Sequence, residues 1–171
     1  MLDLILTVIG TGIIGTTIVC NIVNKTCSKS IELLTSTITK EVAGFDDVDI
    51  LIKKSDLIAK IKKINLINDN INSNDNVSYF YNKIIEQALI DLNDIIKNLN
   101  ETIISVDEMK EYQKTLYLNN WKIRAPNLTF IIDKIKLETE ILNIRFDDFI
   151  KITNISFIFP TSNNLPPKYS N

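Results

Sequence analysis

Leu4–Asn24, LILTVIGTGIIGTTIVCNIVN, runs for 21 residues without a charged side chain, between Asp3 and Lys25. At about 1.5 Å per residue, a helix of that length spans roughly 31 Å, the hydrocarbon thickness of a bilayer. No later stretch compares, so the run sets an apolar head against a polar, helix-patterned body. It also contains Gly10-Thr11-Gly12-Ile13-Ile14-Gly15, which reads GxGxxG. A membrane span and a nucleotide-binding loop therefore compete for the same residues.

The nucleotide reading needs a strand before the glycines, a helix after them and an acid about 20 positions on. Leu4–Ile9 and Glu32 supply the first and last. The rest of a parallel sheet is then missing: after Gly15 the only glycine is Gly44, and the later segments carry helical periodicity. A transmembrane helix explains more, with Leu4, Ile5, Gly12, Gly15, Ile18 and Val23 among its anchoring residues. Thr11 with Gly15, and Gly12 with Thr16, are small pairs four apart that let helices approach closely, which points to self-association in the membrane. A cleaved signal peptide fits less well, because the N-terminus offers Asp3 in place of a basic region. Lys25 and Lys29 follow the run and place the body on the cytoplasmic, or virion-interior, side.

The formal net charge of −2 and the use of arginine only at positions 124 and 145 give no electrostatic case for nucleic acid. The chain has no histidine, which removes the commonest general base and the commonest metal ligand. No cofactor or catalytic group is expected. The two cysteines, Cys20 within the run and Cys27 just past it, do not make a disulfide framework. Cys27 reads as an exposed thiol beside the membrane, a candidate for palmitoylation.

Beyond the run, Ile31, Leu34, Ile38 and Val42 form one apolar stripe that Gly44 ends. Asp46, Asp47 and Asp49 open a second helix and Lys60, Lys62 and Lys63 lie near its end, matching the helix dipole. Its buried face is Val48, Leu51, Ile52, Ile58 and Ile61. Residues 68–76, NDNINSNDN, read as a polar loop. The strongest helical signal starts at Tyr79 and runs through Ile84, Ile85, Ala88, Leu89, Leu92, Ile95, Ile96, Leu99 and Ile103. Ser105-Val106-Asp107-Glu108 fits a capping box and places a helix break there. A last helix over about 128–153 follows Pro126 and a capping Asn127, burying Leu128, Ile131, Ile135, Leu142, Phe146, Phe149 and Ile150.

Between these helices lies Asn119–Asn127, NNWKIRAPN, whose Trp121 and Arg124 form a candidate recognition patch, or pack over the bundle end. In the tail, Pro166-Pro167-Lys168-Tyr169 matches PPxY, a ligand pattern for WW domains. Residues 111–152 resemble the C-terminal half of small uncharacterised helical proteins of giant (nucleocytoplasmic large) DNA viruses. Tyr112, Lys114, Thr115, Trp121, Arg124, Leu142, Arg145, Phe146 and Asp147 carry the resemblance, with Gln113 where those proteins have histidine. It implies a viral origin and a helical hairpin, and no activity.

The expectation is an all-α chain: a membrane anchor over 1–27, an antiparallel helical bundle over 28–155 and a flexible tail over 156–171. Its expected role is that of a non-enzymatic structural or interaction protein of a viral or cellular membrane. The alternatives are a membrane-inserting, pore-forming bundle and, further off, a nucleotide-binding enzyme.

Overall fold

Gly12 to Thr39 form a single helix, α1, so half of the uncharged run and the stretch after it are one element. The computed structural model describes residues 12–72, 79–118 and 127–158. After α1 come α2 (Asp46–Lys54), α3 (Leu57–Asn72), α4 (Tyr79–Leu118) and α5 (Thr129–Ile158). No strand occurs among the described residues. The all-α class stands.

The face that α1 buries continues without a step across the expected boundary at residue 27. Cys20, Val23, Cys27, Ser30, Leu34 and Thr37, spaced by three and four, are all buried. They pack on Ile85, Leu89, Leu92, Ile96, Leu99 and Ile103 of α4 and on Ile61 and Ile64 of α3 as one core. Cys20 and Val23 therefore serve as bundle core and not as lipid-facing surface. Among the described residues no helix is long and apolar enough to cross a membrane. Of the uncharged run, α1 carries residues 12–24, and residues 4–11 lie outside the described residues.

Helices α1 and α4, the most extensively packed pair, run parallel. Ser30 Oγ donates to Asn100 Oδ1, and further along both helices Lys40 Nζ reaches Asp107 Oδ2 at 2.8 Å. The two are the first and third of the four long helices, and successive long helices alternate in direction along the chain. The chain returns through α2 and α3, and α3 lies antiparallel on α1, where Asn68 Nδ2 donates to the Cys20 carbonyl at 2.7 Å. In the same way α5 folds back on α4 as a hairpin, with Thr102 facing Glu138 and Asp91 facing Arg145. At one end α2 touches both α1 and α5, closing the ring α1–α4–α5–α2.

The junctions have local causes. Gly44 at φ 90° makes the turn into α2, a conformation that costs glycine nothing. The helix expected to run from Asp46 past Lys63 is instead two, broken at Ser55-Asp56. Ser55 Oγ bonds back to the Leu51 carbonyl at 2.6 Å, and Asp56 takes φ 52°, the left-handed region that Asp tolerates. With Asp46, Asp47 and Asp49 in its first turn, α2 has Lys53 and Lys54 in its last, so the helix dipole is matched within this short helix. Asn127 caps α5 as expected, its Oδ1 accepting from Thr129 N at 3.1 Å. The break expected at residues 105–108 is absent. Within the continuous helix Ser105 Oγ donates to the Glu101 carbonyl, while Asp107 receives Lys40. Residues 68–72, expected in a polar loop, belong to α3, with Asn68 and Ile71 buried, and 73–76 lie outside the described residues.

Candidate interaction surface

Helix α5 carries apolar residues on two faces. Leu128, Ile135, Leu142 and Phe149, seven apart, are buried in the core. Phe130, Leu137 and Ile144 repeat the same spacing two positions later, which is about 200° round the helix and hence on its far side. Ile141 and Ile155 join them there. The five range from 37 % exposed at Ile141 to 77 % at Phe130. Singly exposed apolar residues need no explanation, but a stripe about 37 Å long from Phe130 to Ile155 does. Its members fall on the 3,4 spacing of a helix seam, with Lys134, Asp148 and Lys151 at the positions between.

The edges of the stripe differ in charge. On one side stand Asp133, Glu140 and Asp147, again seven apart. Asp133 has Lys136 at 3.6 Å, whereas Glu140 and Asp147 form no ion pair among the described residues. On the other side Arg145 faces Asp91 of α4 at 4.0 Å, and the two lysines within the seam are answered locally, Lys134 by Glu138 at 3.8 Å and Lys151 by Asp148 at 3.5 Å. Beside this edge a groove of about 640 Å³ runs between α4 and α5, with Ile84, Ala88 and Ile152 in its lining and Arg145, Asp148 and Lys151 around them.

The buried ionisable groups are committed to the fold. Lys110, fully buried, donates to the Thr37 and Lys40 carbonyls at 2.8 and 2.9 Å and to both Asp49 oxygens at 2.6 and 2.9 Å. Its ammonium also lies 5.8 Å from the ring centroid of Phe45. It thereby caps the C-terminal end of α1 and ties it to α2. Glu138 accepts from Thr102 Oγ1 at 3.0 Å, and burial raises its pKa above the usual carboxylate range. Among the described residues no group of three or more acids and cysteines is placed to hold a metal ion.

The residues singled out by sequence reading are not brought together. Gly12 and Gly15 lie in the first turns of α1, Ile18 is 39 % exposed and Val23 is buried. Leu4, Ile5, Trp121, Arg124, Pro166, Pro167 and Tyr169 lie outside the described residues. Cys27 is buried against the core, where the sequence suggested an exposed thiol, and burial followed by Asp69 pushes its pKa up to about 12. A buried neutral thiol is not presented to an acyl donor while the bundle is folded.

Sequence reading missed Lys110 and the outer stripe of α5. Nothing marks Lys110 among the chain's many lysines, because its burial depends on where the ends of α1 and α2 lie. The stripe did leave a signal: the segment 128–158 has apolar residues at too many helical phases for one buried face. No family model matches the chain, and no curated protein or solved structure does.

Proposed function

We infer that this chain is a non-enzymatic interaction protein, a helical bundle that presents the outer face of α5 to a partner. The observation that carries the reading is the second apolar stripe, Phe130, Leu137, Ile141, Ile144 and Ile155, set opposite the buried face of the same helix. The absence of histidine and the internal engagement of Lys110 and Glu138 fit the non-enzymatic part. The resemblance over 111–152 extends the proposal to a viral structural component, and the PPxY tail would add a WW-domain ligand. The test is selection of helical peptides from a display library on the intact chain, with Ile144→Lys as the counter-selected protein. Enriched sequences with a 3,4 apolar repeat that lose binding to the variant are expected. Selection that yields no binder sensitive to Ile144→Lys overturns the reading.

A second reading is membrane attachment by release of the N-terminal half of α1. One observation favours it: the uncharged residues 12–24 are held against α3 by a small polar latch. Asn68 Nδ2 bonds the Cys20 carbonyl and Asn24 Oδ1, at 2.7 and 2.6 Å, and Asn24 Nδ2 bonds Asp69 Oδ1 at 2.6 Å. Flotation with phosphatidylcholine and phosphatidylserine vesicles tests it. Carbonate-resistant association from the native state points to a permanent anchor, and association only after mild denaturation points to release. Recovery of all the protein in the lipid-free fraction under both conditions sinks membrane attachment.

A further inference from the structure

We propose that the partner of the α5 outer face is an amphipathic helix of another protein, carrying lysine or arginine along the edge that meets Asp133, Glu140 and Asp147. The inference rests on the docking reading above and adds the chemistry of the occupant.

Three features set that chemistry. The seam is helical in kind. Phe130, Leu137, Ile141, Ile144 and Ile155 are separated by seven, four, three and eleven residues, the steps of an a/d repeat along one continuous helix. A second helix laid along it with its own 3,4 repeat meets Phe130, Leu137, Ile141, Ile144 and Ile155, with Lys134, Asp148 and Lys151 at the remaining seam positions. The free charge at the seam is negative. Lys134, Arg145 and Lys151 already have acidic neighbours, while Glu140 and Asp147 have no cation among the described residues. A helix docked here is steered by that edge and gains from basic residues opposite it.

The third feature is that the surface is a poor match for itself. A second copy paired parallel and in register sets Lys134 against Lys134, Asp148 against Asp148 and Lys151 against Lys151. Parallel pairing also brings Asp133 toward Glu138, and the one favourable edge pair it offers, Glu140 toward Arg145, competes with the Asp91 that Arg145 already faces. Antiparallel pairing brings the two acidic edges together along Asp133, Glu140 and Asp147. Like charges facing each other across a seam act against a pairing as directly as opposite charges favour one. A second copy is thus an outcome of the test and not the occupant assigned.

The experiment uses the full chain and three synthetic 28-residue helical peptides with identical Leu and Ile seams. One has lysine, one glutamine and one glutamate at the flanking positions; binding is read by fluorescence anisotropy at low and at physiological salt. The lysine peptide is expected to bind saturably and at least about tenfold more tightly than the glutamate peptide, with the gap narrowing as salt rises. Because a basic peptide can adhere to any acidic protein, two variants decide what the binding means. Ile144→Lys, at an exposed site that leaves the core intact by circular dichroism, is expected to remove binding of all three peptides. Glu140→Lys with Asp147→Lys is expected to reverse the order, so that the glutamate peptide binds best.

The failures are distinguishable. Binding indifferent to Ile144→Lys overturns the docking face itself. Binding that needs Ile144 but ignores flanking charge, before and after the double reversal, leaves the face and overturns the basic partner. A dimer of the chain in sedimentation, dissolved by Ile144→Lys, also overturns it and assigns the face to a second copy. Seam-dependent binding whose charge order inverts with the double reversal establishes the proposal.

Discussion

Lys110 shows how much one residue can decide when it is sealed from water. Its three ammonium protons go to the Thr37 carbonyl, the Lys40 carbonyl and the Asp49 carboxylate, and its side chain has no exposure. Lys110→Met keeps the volume and removes every one of those bonds. It leaves Asp49, only 14 % exposed, without its cation and two carbonyls at the end of α1 without a donor. The expected loss is about 3–5 kcal/mol, read as a shift in the urea midpoint. Lys40→Met is the contrast, because Lys40 meets Asp107 and Glu111 at the surface, 27 % exposed, and such pairs contribute less than about 1 kcal/mol. Glu138 is expected to behave oppositely. Burial raises its pKa, so the native state holds the proton to higher pH than the unfolded chain does. Stability from this group is full below the ordinary carboxylate range and falls as pH climbs through the raised value. Glu138→Gln keeps an acceptor for Thr102 and removes the charge. Urea midpoints between pH 4 and 8 should therefore flatten, with stability at pH 7 rising by up to about 1 kcal/mol. A loss at pH 7 would show that the Lys134 contact outweighs burial.

Among the elements, the helices with one apolar stripe were legible and their junctions were not. Tyr79 onward repeats at 3.6 with enough apolar residues that only a helix fits, and the structure continues it to Leu118. The capping box at 105–108 was misread because such a box works only where backbone N–H groups are free. Inside a helix pinned by Lys110 and by Asp107 they are not free. The break between α2 and α3 was illegible for the opposite reason, since DILIKKSDLIAK (49–60) contains neither glycine nor proline. There Asp56 adopts φ 52° so that Ile52 and Leu57 both reach the core. Tertiary packing imposes the turn, and the residue carries its cost. Asp56→Gly is expected to raise stability by up to about 1 kcal/mol, the left-handed penalty relieved less the added freedom of the unfolded chain. Asp56→Ile should lower it by about 1–3 kcal/mol, a β-branched residue being least suited to that region. Equal urea midpoints for the three proteins would mean that α2 and α3 rearrange around the junction.

Across the whole molecule, the uncharged run was legible in its extent and not in its environment. Leu4–Asn24 is apolar enough for lipid, but Cys20 and Val23 share one core with Leu89, Ile96 and Phe149. Hydrophobicity alone does not say whether a helix buries itself in lipid or in protein; the partners decide, and they come from α3 and α4 far along the chain. The two thiols turn this into a measurement, because both lie on α1, seven residues apart, and both are buried. At pH 8 the native thiol of Cys27, with its pKa pushed up to about 12, is almost wholly protonated, so a disulfide reagent reacts only when the bundle opens. If the core is one cooperative unit, single-cysteine proteins retaining Cys20 or Cys27 react at the same slow rate. Lys110→Met then accelerates both equally, and Asp56→Gly slows both equally. If instead the half of α1 before Lys25 leaves α3 on its own, Cys20 reacts ahead of Cys27 and Asn68→Ala widens the gap, because Asn68 bonds the Cys20 carbonyl directly. The continuity of buried residues from Cys20 through Leu34 to Val106 and Phe149 makes equal rates the expected result. A fast phase confined to Cys20 would separate the N-terminal half of α1 from the bundle and give the membrane-release reading the opening it requires.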